Sequence, residues 1–73
     1  MIFNAIIEKD ENGYFATIPE LEGCVSQGET YEESLQNIKE ALDLYLESLS
    51  KEEKLELMNR KIISVTPLEI EMV

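Results

Sequence analysis

The sequence contains no histidine, one cysteine and only six basic residues among 73. Without histidine, Ser-His-Asp and Cys-His catalysis and zinc sites with imidazole ligands are excluded. One cysteine, Cys24, cannot form an internal disulfide, and no signal-peptide pattern is present, so we expect a cytoplasmic protein. No apolar run approaches the roughly 20 residues that a membrane-spanning helix needs. We therefore expect no association with a membrane.

Acidic residues dominate the charge: sixteen of them give a net charge of −10. Such a surface repels nucleic-acid phosphates and anionic lipid and attracts basic proteins. We therefore expect no direct binding of nucleic acid by this chain. A strongly acidic composition is also common in domains that are merely soluble, so charge alone does not establish a basic partner.

The longest periodic segment is an amphipathic helix predicted over Thr30–Leu49. Its apolar residues recur at steps of three and four, which places them on one helical face. Those residues are Tyr31, Leu35, Ile38, Leu42, Tyr45 and Leu49. Thr30 followed by Glu33 matches a capping box, and Ser50 followed by Glu53 repeats it, which predicts a short second helix over Lys51–Asn59.

Strand-like composition lies on both sides of these helices. The predicted strands are Ile2–Glu8, Tyr14–Ile18, Cys24–Gly28 and a closing strand over Lys61–Val73 with a bend at Pro67. Asn12-Gly13 predicts a hairpin turn between the first two strands. The sequence thus predicts one α+β domain over residues 1–73. It is an antiparallel sheet with one main helix packed on one face, in the order β-β-β-α-(short α)-β.

Carboxylates are the only side chains left for catalysis. Asp10, Glu33, Glu40 and Asp43 are candidate Mg²⁺ ligands, because Mg²⁺ prefers oxygen. The three helical residues lie on the polar face, however, where a solvated row is the ordinary explanation. Asp10 is predicted to bond the backbone of its own turn, and Cys24 to be a small buried apolar residue. We therefore expect no metal, no cofactor and no enzymatic activity; a small Mg²⁺-dependent nuclease stays as the alternative.

The last residues suggest contact between chains. Leu68, Ile70 and Met72 alternate with Glu69 and Glu71, the pattern of an edge strand with one apolar face. Edge strands of this kind pair with another copy or with a partner. We therefore expect a homodimer or higher homo-oligomer, with the three apolar residues as candidate contacts.

An ordered set of short motifs resembles the HicB-like antitoxin family over residues 1–49. The motifs are Asp10-Glu11-Asn12-Gly13-Tyr14, Pro19, Gly23-Cys24, Gly28, Thr30, Glu33, Asn37 and Glu40-Ala41. Each motif is weak alone, whereas the ordered set at these spacings is specific. The chain departs from the family pattern at Glu22, where proline is frequent, and at Ser34, where alanine is frequent.

The resemblance implies a partial RNase-H-like domain without a nuclease site, which binds a small basic toxin of the HicA type that cleaves RNA. Larger members carry a C-terminal DNA-binding module, and we expect none in this sequence, which has the length of one domain. The resemblance therefore implies a non-catalytic antitoxin of a type II toxin-antitoxin system, or an orphan module with another partner. Charge, and not the family motif, selects the candidate contacts. They are Asp10, Glu11, Glu20, Glu22, Glu40, Asp43 and Glu47.

Overall fold

The fold consists of three strands followed by two helices, in a computed structural model that describes residues 2–59 and 62–72. The elements are β1 (Ile6–Asp10), β2 (Gly13–Thr17), β3 (Val25–Gly28), α1 (Tyr31–Glu47) and α2 (Lys51–Met58). The strands form one antiparallel sheet in the order β1-β2-β3, and α1 packs on one face of it. The predicted α+β class and the position of the main helix are confirmed.

The β1–β2 hairpin turns where the sequence predicts it. A carboxylate oxygen of Asp10 accepts a hydrogen bond of 2.7 Å from the backbone N–H of Asn12. Gly13 has φ +132°, a conformation that a residue with a Cβ rarely adopts. β1 begins at Ile6 and not at Ile2. Upstream of it, the backbone N–H of Asn4 is directed to the carboxylate of Glu20.

Both predicted helices are present, but their caps differ. The Thr30 hydroxyl accepts from the backbone N–H of Glu33 at 3.0 Å. The Glu33 carboxylate reaches the N–H of Glu29 at 3.3 Å instead of that of Thr30, so this capping box is only half formed. In α2 the box between Ser50 and Glu53 is complete, with hydrogen bonds of 2.9 and 3.1 Å.

The core lies between the sheet, α1 and the loop that joins β2 to β3, and α2 contributes one residue to it. Its buried apolar residues are Ala16, Ile18, Leu21, Cys24, Ile38 and Leu57. Ser34 is fully buried on α1, where its hydroxyl donates to the carbonyl of Tyr31 at 2.8 Å. Cys24 is buried, as predicted. Leu21 was not expected in the core, because its flanking proline and glycine predict only a loop.

The predicted closing strand over 61–73 is wrong for the part that the structure describes. Residues 62–72 form neither helix nor strand, and Leu68, Ile70 and Met72 are exposed. Lys61 and Val73, the ends of that prediction, lie outside the described residues. The apolar alternation gives this segment a face that can be buried, but a strand also needs a neighbour for its backbone hydrogen bonds.

Within residues 2–59 and 62–72, no helix is long and apolar enough to cross a bilayer.

Candidate functional site

The outer face of α1 carries a row of three acidic side chains, Glu40, Asp43 and Glu47, which we call the helix acidic row. Spacings of three and four residues place them on one side of the helix, and all three are exposed. The opposite side of α1 is held on the sheet by Ser34 and Ile38, which are 0% and 1% exposed. The packing of α1 therefore directs the helix acidic row to solvent.

Two further groups of predicted contacts lie at opposite ends of the hairpin. Asp10 and Glu11 form the exposed β1–β2 turn, where Asp10 also holds the backbone of Asn12. Glu22 is exposed in the loop that follows β2, next to Gly23 with φ +78°. Because a hairpin turn and the far end of its second strand lie at opposite ends of a sheet, these carboxylates are not neighbours.

The path of the chain fixes which groups share an end. Gly28 pairs with Tyr14, so β3 ends, and α1 begins, near the β1–β2 turn. α1 then runs back along the sheet, because it packs against β3 and β2 and also reaches β1. Its 17 residues span about 25 Å, which exceeds the roughly 17 Å of a five-residue strand. Glu47 therefore lies toward the end that holds Glu22, and the first turn of α1 lies toward Asp10 and Glu11.

Glu20 is placed differently from the other six candidates, because it is only 8% exposed. Both oxygens of its carboxylate accept a hydrogen bond from the backbone N–H of Asn4, each at 3.2 Å. One of them also accepts a hydrogen bond of 2.6 Å from the side-chain amide of Asn4. A buried carboxylate bound in this way ties the N-terminal segment to the β2–β3 loop. Glu20 is thus a structural group in this conformation.

The structure also contains a polar cleft at the start of α1, which was not predicted from the sequence. Its volume is about 580 Å³. It is lined by Asn12, Tyr14, Phe15, Ser26, Gln27, Gly28, Glu29, Glu33 and Asn37. The side chain of Asn37 crosses to β3 and donates to the carbonyl of Gln27 at 2.8 Å. The sequence signal for this cleft is the Gly28-Glu29-Thr30 run before the helix, which places Glu29 and Glu33 beside a residue without a side chain.

The acidic side chains and the one thiol of the described residues differ in their environment. No three His, Cys, Asp or Glu side chains within residues 2–59 and 62–72 are grouped so that they could hold a metal ion. Cys24 is 3% exposed, and burial raises the pKa of its thiol, which keeps the sulfur in the protonated form that is a poor nucleophile. The exposed carboxylates can accept hydrogen bonds and form ion pairs with lysine or arginine.

A family model also matches the chain. It is described as a HicB-like antitoxin of a bacterial toxin-antitoxin system, and the match covers residues 3–68. This range includes all three strands and both helices. It extends beyond residues 1–49, where the sequence motifs resemble the same family.

Two curated relatives of similar length match most of the chain. A UPF0150 protein of Helicobacter pylori is 57% identical over 70 residues, which are 96% of each chain. A UPF0150 protein of Thermoplasma acidophilum is 48% identical over 67 residues, 89% of this chain and 97% of the relative. A 14.9 kDa protein of Haemophilus phage HP1 is 33% identical over 54 residues, which are only 41% of its length. No solved structure is a significant match.

Proposed function

Because this chain belongs to the family of HicB-like antitoxins of bacterial toxin-antitoxin systems, we propose that it binds and neutralises a small basic toxin of the HicA type that cleaves RNA. In this role it is a cytoplasmic, non-catalytic protein that covers the surface with which the toxin holds RNA. The observation that carries the proposal is the family match over residues 3–68, together with an acidic surface on a chain of net charge −10.

Charge explains how such a domain works without chemistry of its own. An enzyme that binds RNA presents basic groups to the phosphates, and an acidic protein competes for those same groups. Opposite net charges also accelerate the encounter of two proteins, by orders of magnitude at low salt. The acidic surface therefore serves both recognition of the basic toxin and rapid association with it.

We assign the contact to the exposed carboxylates. The helix acidic row is the best candidate, because a rigid helix holds its three side chains in fixed relative positions and Glu22 lies toward the same end. Asp10 and Glu11 make a second group at the opposite end of the hairpin. Glu20 is left out of this set, since its carboxylate is buried against Asn4. We also propose that the protein is a homo-oligomer.

Recovery of the partner from the native cell tests the proposal. The tagged full-length chain is pulled down from lysate, and co-purifying proteins are identified by mass spectrometry. We expect a small, basic, histidine-containing chain in near-equal amount, released by high salt because exposed ion pairs are screened. Recovery of this protein with itself alone argues against a toxin partner.

A titration with Mg²⁺ tests the non-catalytic assignment separately. A ligand that binds the folded state must raise the melting temperature. We expect no change at millimolar Mg²⁺, with Ca²⁺ as the matched cation. A shift that Mg²⁺ produces and Ca²⁺ does not would favour the alternative of a metal-dependent nuclease.

A further inference from the structure

The last described residues form an exposed segment, residues 64–72, which we call the C-terminal arm. Leu68, Ile70 and Met72 are 82%, 76% and 90% exposed. Glu69 and Glu71 lie between them, so a strand conformation would give the arm one apolar and one charged face. Three large apolar side chains at alternate positions form a surface suited to burial against another element.

The C-terminal arm is exposed along its whole length, in a chain that is elongated overall. The radius of gyration is 14.4 Å, whereas a compact chain of this length has about 11 Å. The longest extent is 49 Å and the shortest is 16 Å. The side-chain amide of Asn4 donates to the carbonyl of Ile63 at 2.8 Å, and Ile63 is the last half-buried residue. The arm therefore departs beside the segment that leads into β1.

β1 offers a matching surface. It is an edge strand of the sheet among the residues that the structure describes, and edge strands present unpaired backbone groups. α1 lies mainly across β3 and β2 and reaches β1 only marginally. Ile7 is on the α1 side, since it pairs with the buried Ala16, and yet it is only half-buried, as is Phe3. An apolar strip beside β1 is thus incompletely covered.

We propose that two copies of this chain exchange C-terminal arms, so that each arm adds as a strand to the β1 edge of the other copy. Leu68, Ile70 and Met72 then lie on the α1 side next to Ile7, because only there does a second layer exist to bury them. A two-fold exchange uses every arm and every β1 edge and leaves a closed dimer.

The second copy is the occupant because one chain carries both halves of this interface, an apolar arm and an apolar strip. Apolar contact also permits two chains of net charge −10 to associate, where an interface of exposed carboxylates would repel. The proposal goes beyond toxin binding, since it uses none of the carboxylates assigned to the toxin.

The first test is the mass of the full-length chain in solution, measured by sedimentation from micromolar to millimolar concentration. We expect a dimer. Ile70→Asp should raise the dissociation constant by about tenfold or more, and its fold should persist because Ile70 is 76% exposed. Glu71→Gln, on the opposite face of the arm, is the matched control and should stay dimeric. A monomer throughout, or a dimer that tolerates Ile70→Asp, overturns the proposal.

Isotope labelling shows which copy holds the arm. In a mixture of two differently labelled chains, we expect NMR contacts between the arm of one label and Ile7 of the other. Contacts within one label only would place the arm on its own β1 and overturn the exchange.

Salt separates this proposal from the toxin proposal. In the dimer the face with Glu69 and Glu71 lies on the same side of the sheet as Glu8, which is not among the toxin contacts, so screening by salt should tighten the association. Binding to a basic toxin should weaken in the same salt. Ile70→Asp should therefore bind the toxin normally while losing the dimer, so either proposal can fail without the other.

Discussion

The buried carboxylate of Glu20 accepts hydrogen bonds from both the backbone and the side chain of Asn4, sixteen residues earlier in the chain. The same Asn4 side chain donates to the carbonyl of Ile63. One asparagine therefore joins three segments that lack regular secondary structure at that point. In a chain of 73 residues with a small apolar core, such a contact adds cohesion between segments that are distant in sequence.

Glu20→Ala should destabilise the fold by about 1–3 kcal/mol, because it leaves the backbone N–H of Asn4 without an acceptor and removes one of the two acceptors of the Asn4 side-chain amide. Glu20→Gln, which keeps one oxygen for the Asn4 amide, should cost less. Glu22→Ala in the same loop is the matched exposed control and should change stability by no more than about 0.5 kcal/mol. Urea unfolding measures all three, and equal effects at the two positions would contradict the structural role of Glu20.

Gly28→Ala should also destabilise the protein, by about 1–3 kcal/mol. A Cβ at Gly28 would lie 2.6 Å from the backbone nitrogen of Ser34, so the start of α1 would have to move away from β3. Gly23→Asn is the comparison: nothing lies within 4 Å of a Cβ there, and asparagine tolerates the φ of +78° better than most residues. Thermal unfolding should rank Gly28→Ala as clearly the less stable variant.

Much of this fold was predictable from local patterns. The period of the α1 residues, the Ser50–Glu53 box and the turn at Gly13 each depend on neighbours within four positions. The roles of Leu21, Glu20 and the C-terminal segment depend on partners that are distant in sequence. The alternation of Leu68 and Ile70 with glutamates predicts which side chains would share a face of a strand. Strand formation also needs a neighbouring strand for the backbone hydrogen bonds, and the sequence does not identify that neighbour. For the site, charge identified the exposed groups but could not distinguish Glu20 from Glu22.

Acidification should weaken the cap of α2. Hydrogen bonds from the backbone and hydroxyl of Ser50 lower the pKa of Glu53 below its ordinary value. A carboxyl whose pKa is lowered by folding stabilises the fold above its unfolded-state pKa, and this contribution is lost as the pH falls through the folded-state value. We expect NMR titration of the Glu53 carboxyl to give a pKa below that of a free glutamate. In Ser50→Ala the backbone N–H of residue 50, the larger cause, remains, so the pKa should rise only part of the way toward that value. A pKa unchanged by this substitution would contradict a contribution of the Ser50 hydroxyl.

Cys24 should react slowly with thiol reagents while the protein is folded. Burial raises the pKa of its thiol and also blocks access, so the reactive thiolate is scarce at neutral pH. Ser64→Cys in a Cys24→Ser background supplies an exposed thiol in the same chain for comparison. We expect Cys24 to match its rate only in denaturant. Rapid labelling of Cys24 in the native protein would instead indicate frequent opening of the β2–β3 loop.

Reversing charge in the helix acidic row should slow capture of a basic toxin. Glu40→Lys with Asp43→Lys places two cations on the exposed face of α1, where steering depends on the local potential as well as on the net charge. Glu69→Lys with Glu71→Lys changes the net charge equally but on the C-terminal arm, and is therefore the matched control. We expect the association rate at low salt to fall by about tenfold for the first pair and much less for the second. The dependence of the association rate on salt should also become weaker for the first pair. Stopped-flow association over a range of ionic strength measures both quantities. If the two pairs behave alike, only the net charge matters and Glu40 and Asp43 do not belong to the interface.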